Sequence, residues 1–313
     1  MKKKTKKILI ILLFTILFLS ASFIIFIGKN VFDGFSNIVT REETIKNRNT
    51  YYEKSYKEFK KLNDVKEIKI ESSKFNHHIP AILVRKENNQ DLAILIHGLG
   101  GTKESMTHQA KVFLDLGFDV LIPDQRNSGD NISKYNTFGV LESFDILDCL
   151  NYAKSIYDGK ILLFGESAGG AGALIAASRD DSLISYLILD CPVSDANKMM
   201  EKELKKIEEK EGVPVSFMRF SGDIYTRIKL GYSFSDFDTT KWIKESNFRK
   251  PTLFINSQID KVTPYQMAVD IFDSLPGDKK ELKTIKDYGH AELAREDSKV
   301  FKKIISGFLE KYK

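Results

Sequence analysis

The residue of this sequence best placed for covalent chemistry is Ser167, in the pentapeptide Gly165-Glu166-Ser167-Ala168-Gly169. An apolar run at 161–164 precedes the pentapeptide, and a helix-prone run at 171–177 follows it. A G-x-S-x-G motif between a strand and a helix places the serine on a sharp turn, where the glycines avoid side-chain clashes. The pattern therefore predicts a nucleophilic serine, with a purely structural glycine turn as the alternative.

A serine hydroxyl needs a histidine to accept its proton and a carboxylate to orient that histidine. Around a nucleophile turn of this kind the chain order is serine, acid, histidine. His290 follows the last predicted strand, in the loop 287–292, and is the predicted base. Asp260, shortly after the predicted strand 252–256, is the predicted acid. Asp190, at the end of the predicted strand 186–189, is the alternative acid.

An acyl-transfer site also needs backbone N–H groups for the negative charge that develops on the substrate oxygen. The glycine-rich stretch His97-Gly98-Leu99-Gly100-Gly101 directly follows the apolar run 92–96. We therefore assign the oxyanion hole to the N–H groups of Leu99 and Ala168. His97 is expected to hold this loop in place.

These residues must be positioned by a regular scaffold, and the chain from residue 65 onward alternates short apolar runs with amphipathic ones. The pattern is typical of an α/β fold with a mostly parallel central sheet flanked by helices. Ligand sites of such sheets lie beyond the carboxyl ends of the strands. The predicted strands are 65–71, 79–84, 92–96, 118–122, 161–164, 186–189, 252–256 and 281–285.

Residues 192–250 interrupt the alternation and contain no clear sheet strand, so they are predicted to be an inserted helical cap. The cap is rich in apolar side chains, and an insertion after the sixth strand is expected above the nucleophile. This predicts a preference for esters with a medium-length or aromatic acyl group.

The N-terminus carries a second pattern. The five lysines within residues 2–7 account for the whole formal charge of +5, so the remaining chain is neutral and no nucleic-acid partner is expected. An uncharged, largely apolar run at 8–27 is long enough to cross a bilayer. We predict a basic cytoplasmic tip at 1–7, a single transmembrane anchor at 8–28 and an extracytoplasmic catalytic domain. A cleaved signal peptide ending near Ser20-Ala21-Ser22 is the alternative.

Residues 29–64 are polar and proline-free, with apolar positions at helical spacing, and predict a stalk helix that packs on a hydrolase domain at 65–313. Cys149 and Cys191 fall in a predicted helix and at a strand exit, positions with no evident reason to meet. Both are expected to be free, mostly buried thiols.

The motifs together resemble the α/β-hydrolase superfamily, and within it bacterial membrane-anchored esterase-like and serine aminopeptidase-like members. The matching stretches are HGLGG at 97–101, DQRNSG at 124–129, GESAGG at 165–170, SQIDKVTP at 257–264 and DYGHAE at 287–292. The resemblance covers residues 92–313 without the cap. Asn127 and Ser128 depart from it, because Gly-His is frequent there in the family.

We expect hydrolysis of a carboxylic ester through an acyl-enzyme on Ser167, with a small-molecule ester or a short peptide as substrate. A serine peptidase acting on short peptides is the alternative, and a non-catalytic binding domain is the alternative from another class. The sequence contains no H-x-H, H-E-x-x-H or clustered Cys/His spacing, so neither a metal nor another cofactor is expected.

Overall fold

The structure is a computed structural model that describes residues 3–87 and 89–313. The chain forms two compact units. One unit contains the residues up to Ile38 together with Asn197–Asp236, and the other contains Val39–Ala196 together with Phe237–Lys313. The second unit carries the sheet.

The sheet has eight strands in the order β1-β2-β4-β3-β5-β6-β7-β8. Strand β2 pairs antiparallel with β1 and β4, whereas the pairs from β4 to β8 are parallel. The α/β-hydrolase fold predicted from the sequence is thereby confirmed. The strands are β1 Val65–Glu71, β2 His78–Val84, β3 Asp91–Ile96, β4 Phe118–Pro123, β5 Ile161–Glu166, β6 Tyr186–Asp190, β7 Thr252–Ser257 and β8 Lys280–Ile285.

Helices cover both faces of the sheet because the central strands are apolar on both sides. In β3, Ile94 belongs to one buried cluster and its neighbour Leu95 to the other, as the two-residue period of a strand requires. Helix α5, Glu142–Ile156, contributes Leu150 to the first cluster, and helix α10, Tyr265–Ser274, contributes Ile271. The helices of this unit after β3 are α4 Thr107–Asp115, α5 Glu142–Ile156, α6 Ala168–Arg179, α9 Thr239–Lys244, α10 Tyr265–Ser274, α11 Leu293–Glu296 and α12 Ser298–Lys311.

Residues 29–64 do not form one stalk helix, because the chain leaves the helical conformation between Ser36 and Arg41. Helix α1 runs from Lys3 to Ser36, and a second helix, α2, begins only at Arg41 and ends at Asn47. The Thr40 hydroxyl accepts from the Glu43 N–H while the Glu43 carboxylate accepts from the Thr40 N–H, and this capping box starts α2. A π-helical stretch, Arg48–Tyr52, leads into α3 Glu53–Leu62. The prediction of a continuous helix over 29–64 is therefore wrong.

The other unit consists of helices. Helix α1 contains the apolar run 8–27, and it is the one helix of the described chain with the length and composition needed to cross a membrane. The stretch predicted as a cap supplies to this unit α8 Val215–Leu230 and, apart from its first residue, α7 Ala196–Glu211. Its remaining part, including α9, belongs to the unit that carries the sheet.

Candidate active site

The turn after β5 holds Ser167 in a strained conformation. Ser167 has φ 55° and ψ −120°, a region that non-glycine residues rarely adopt, and α6 begins at the next residue. The turn is tight, since a Cβ atom on Gly169 would lie 2.4 Å from the carbonyl oxygen of His97. The Ser167 N–H donates to the Asp190 carbonyl at the end of β6, 2.9 Å away. Backbone bonding thus holds the serine at the carboxyl edge of the sheet.

The structure brings Ser167, His290 and Asp260 into one hydrogen-bonded chain. The Nε2 atom of His290 lies 2.9 Å from the Ser167 Oγ atom, and its Nδ1 atom lies 2.7 Å from an Asp260 carboxylate oxygen. The three residues follow the ends of β5, β8 and β7 respectively. With Nδ1 donating to the carboxylate, Nε2 is left to accept the serine proton.

Asp260 is held as a carboxylate by its own loop. Its Oδ1 atom accepts from the N–H groups of Val262 and Thr263, at 2.7 and 2.9 Å. Burial alone would raise the pKa of Asp260, but the hydrogen bonds from His290 and from these N–H groups outweigh it and lower that pKa. The acid therefore stays charged next to the imidazole.

The sequence did not single out Thr263, which bonds to both members of this pair. Its hydroxyl lies 2.9 Å from the Asp260 Oδ2 atom, 3.1 Å from the His290 Nδ1 atom and 3.0 Å from the Cys191 carbonyl oxygen. Only its place three residues after the acid could have drawn attention to it. A second anchor is Ser257, whose hydroxyl donates to the Tyr288 carbonyl in the histidine loop.

Asp190, the alternative acid, does not touch His290. It is 1% exposed, and its Oδ2 atom has no hydrogen-bond partner among the described residues. Burial raises the pKa of Asp190 to about 7. Its register partner in β5 is Glu166, whose pKa burial and the Asp190 carboxyl likewise raise to about 7. A proton retained on these carboxyls reduces the negative charge beside Ser167.

The loop after β3 lies against Ser167. A Cβ atom on Gly98 would be 3.1 Å from the Ser167 Cβ atom, so the N–H of the following Leu99 belongs to the segment that faces the serine. Ala168 is the first residue of α6, and its N–H is one of the first-turn donors that have no partner within a helix. Both N–H groups assigned to the oxyanion hole therefore lie on segments that meet at Ser167.

Buried side chains fix this loop from behind. The His97 Nδ1 atom lies 2.8 Å from the Gly98 carbonyl oxygen, and Nε2 accepts from the Gln125 N–H at 3.0 Å. Burial lowers the pKa of His97, so a neutral ring is favoured. The Asp124 carboxylate accepts from the N–H groups of Lys103 and Asp130, at 2.8 and 2.9 Å. Asp124 thus joins the loop after β3 to the loop after β4.

The segment before the sheet also supports the loop. The Asn47 side chain donates to the Gly100 carbonyl at 3.1 Å, and the Thr44 hydroxyl accepts from the Gly129 N–H at 3.0 Å. Both residues lie in α2, which carries no motif, so nothing in the sequence pointed to them.

Comparison with known proteins agrees with this architecture. The profile described as alpha/beta hydrolase fold matches residues 93–210. An uncharacterized protein of Bacillus subtilis (strain 168), YqkD, is 24% identical over 241 residues, which are 76% of this chain and 77% of that protein. The chain has the α/β-hydrolase fold.

Two solved structures illustrate the shared fold. The Pyrococcus furiosus esterase Pf2001 superposes with a TM-score of 0.64 at 19% identity, over 82% of this chain and 94% of that one. Est1E from Butyrivibrio proteoclasticus, with ferulic acid bound, gives a TM-score of 0.58 at 19% identity, over 78% of this chain and 98% of that one. At these identities the likeness concerns the fold.

Proposed function

We propose that this chain is a membrane-anchored serine hydrolase that cleaves carboxylic esters through an acyl-enzyme. The observation that carries the proposal is the unbroken chain of hydrogen bonds from Ser167 through His290 to Asp260, on a serine in a strained turn. Pf2001, which shares the fold, is an esterase, and this favours an ester over a peptide as the substrate.

In the first half-reaction the Ser167 Oγ atom attacks the ester carbonyl carbon while His290 Nε2 takes the hydroxyl proton. The carbonyl oxygen becomes an oxyanion, and the N–H groups of Leu99 and Ala168 stabilise it. The intermediate expels the alcohol, which receives the proton from His290. Asp260 stabilises the imidazolium throughout and keeps the ring in the required tautomer.

In the second half-reaction water attacks the acyl-enzyme and His290 takes a proton from that water. A second oxyanion forms in the same place, and the ester bond to Ser167 breaks as its Oγ atom regains the proton. The products are an alcohol and a carboxylic acid, and the enzyme returns to its starting state.

The proposal also places the enzyme at the cell membrane. The lysines of the N-terminal tip would remain in the cytoplasm, α1 would cross the bilayer, and the catalytic unit would lie outside. Fractionation should recover the protein with membranes, and protease added to cells stripped of outer barriers should digest the catalytic unit. A catalytic unit protected from external protease would contradict this orientation.

Labelling with a fluorophosphonate tests the nucleophile directly. The full-length protein should be labelled, and Ser167→Ala should not. Ser178→Ala is the matched control, because this serine lies in the same helix α6 and its hydroxyl donates to the Leu174 carbonyl. Equal labelling of Ser167→Ala and the control would refute the proposed nucleophile.

Substrate class is tested with p-nitrophenyl esters of increasing acyl length beside aminoacyl-anilides. We expect ester hydrolysis that rises with acyl length, since each methylene buried in an apolar pocket contributes up to about 0.8 kcal/mol. Turnover of aminoacyl-anilides alone would instead identify a peptidase.

A further inference from the structure

Helix α8 packs along the second half of α1. The rings of Phe23 and Phe217 stack with centroids 5.8 Å apart, and the rings of Phe32 and Tyr225 lie 5.6 Å apart. The residue numbers of both helices increase in the same direction along these contacts. Helix α8 therefore runs parallel to α1, with its first turn nearest the apolar run.

The contact is close enough to fix how the helices align. A Cβ atom on Gly28 would lie 2.2 Å from the Ser221 carbonyl oxygen, and one on Gly222 would lie 2.7 Å from a Val31 methyl carbon. Small residues on both helices thus let the two backbones meet. Phe217 is consequently held at the level of Phe23.

The position of Phe23 within the apolar run indicates the depth at which α8 lies in the bilayer. Phe23 lies four residues before the end of the apolar run 8–27, or about 6 Å along the helix. The start of α8 therefore lies near the outer end of the proposed membrane span. The preceding residues Glu208–Glu211 are all charged and require an aqueous or headgroup environment. Together these two constraints place the first turns of α8 at the boundary between headgroups and acyl chains.

The face of α8 opposite its buried side is apolar, as a position at the boundary between headgroups and acyl chains requires. Phe217, Phe220, Ile224 and Ile228 follow one another at helical spacing, and Phe220 is 55% exposed. Through the Phe23–Phe217 stack this apolar stripe continues the exposed surface of α1, where Phe26 is 63% exposed.

We infer that residues 215–222 of α8 lie in the interfacial region of the outer leaflet, with Phe217 and Phe220 in contact with phospholipid acyl chains. The inference rests on the proposed transmembrane anchor and adds a second, interfacial helix to it. Ile24 and Ile27, in the same part of α1, are partly buried.

Quenching by brominated lipids tests this placement. Single-tryptophan variants of the full-length chain are made in a Trp242→Phe background and reconstituted in phosphatidylcholine–phosphatidylglycerol vesicles whose acyl chains carry bromine. Phe220→Trp is the test. Ile228→Trp is its matched control, since Ile228 is 69% exposed on the same stripe but about 12 Å further along α8. Phe14→Trp, inside the apolar run, reports the anchor itself.

We expect strong quenching of Phe14→Trp and Phe220→Trp, and quenching several-fold weaker for Ile228→Trp. Bromines placed close to the headgroups should act most on Phe220→Trp. If Phe14→Trp is quenched but Phe220→Trp responds to aqueous acrylamide instead, α8 lies in water and the inference is overturned. Shielding of Phe220→Trp from both quenchers would mean that a second protein chain covers this residue in place of lipid, and it would also overturn the inference. An unquenched Phe14→Trp would refute the anchor, and with it the proposed location of the enzyme.

Discussion

The carboxyl edge of the sheet and the α1–α8 pair hold their residues in place by different means. At the sheet edge, short polar loops follow β7 and β8, and hydrogen bonds from the hydroxyl groups of Thr263 and Ser257 hold Asp260 and the His290 loop in place. In the helix pair, stacked rings and glycines in close contact align two long elements. The first arrangement depends on individual polar atoms, and the second depends on shape.

The largest expected effect is at the sheet edge, where one atom change should abolish most activity. Asp260→Asn removes the carboxylate that fixes the His290 tautomer, so kcat should fall roughly 10⁴-fold. Asp190→Asn is the matched control, because Asp190 ends the neighbouring strand β6, yet its Oδ2 atom has no hydrogen-bond partner among the described residues. Steady-state kinetics on a p-nitrophenyl ester measure both. A larger loss in Asp190→Asn would transfer the role of acid to Asp190.

Much of this edge could be predicted from the sequence, because each part carries its own local signal. Strand β5 is a run of apolar residues that ends in the G-x-S-x-G motif, and His290 is the histidine that follows the last strand. The contacts of Asn47 and Thr263 could not be predicted, since a single polar side chain in a loop or short helix has no periodicity. The break before α2 was missed although Thr40 and Glu43 form the spacing of a capping box.

The pairing of α1 with α8 left no trace in the sequence for a different reason. Phe23 and Phe217 are far apart in the chain, and each belongs to an apolar stretch that has a simpler explanation. Long-range packing of this kind depends on tertiary structure, which hydrophobic periodicity does not encode.

A second prediction concerns the buried carboxyl group of Asp190. The pKa of Asp190 is raised to about 7 from an ordinary value of 3.8, so between pH 4 and 7 the unfolded chain releases a proton that the folded chain retains. The contribution of the Asp190 carboxyl group to the free energy of unfolding is therefore fully present below about pH 4, and it is lost as the pH rises through 7. Asp190→Asn escapes this loss and should be more stable than the parent at pH 8, by on the order of 4 kcal/mol, with a smaller gain at pH 5.

Thermal unfolding of the detergent-solubilised proteins at the two pH values measures the difference. Asp180→Asn provides the control, because Asp180 is exposed and the hydrogen bonds from Ser182 lower its pKa. If Asp190→Asn were instead less stable than the parent at pH 8, the ionised carboxylate of Asp190 would stabilise the fold and the prediction would be wrong.

The third prediction perturbs the helix pair. Gly28→Val places a branched side chain where even a Cβ atom would lie 2.2 Å from a backbone oxygen of α8, so the helices must separate. Overpacking of this kind costs roughly 1–3 kcal/mol. Limited proteolysis in vesicles should then cut the α7–α8 connection faster. Gly34→Val is the matched control, because it makes the same change in helix propensity in the same helix. A Cβ atom at position 34 would have no heavy atom within 4 Å. Equal cleavage of the two variants would argue against the close contact.

The smallest expected effect returns to the sheet edge and tests whether α2 helps to position the oxyanion loop. Asn47→Ala removes the hydrogen bond to the Gly100 carbonyl, next to the Leu99 N–H. A single neutral hydrogen bond contributes about 0.5–1.5 kcal/mol, so kcat should fall about two- to tenfold. KM should change little, because the oxyanion forms only as the reaction proceeds.

Asn63→Ala is the matched control for this last change, since the Asn63 side chain donates to the Phe59 carbonyl at the end of α3. It removes a comparable bond from the same N-terminal segment without touching the loop after β3. If both variants lower kcat equally, the loss reflects the stability of the segment. A fall confined to Asn47→Ala, at unchanged thermal stability, would mean that a helix outside the sheet tunes the oxyanion hole through one amide group.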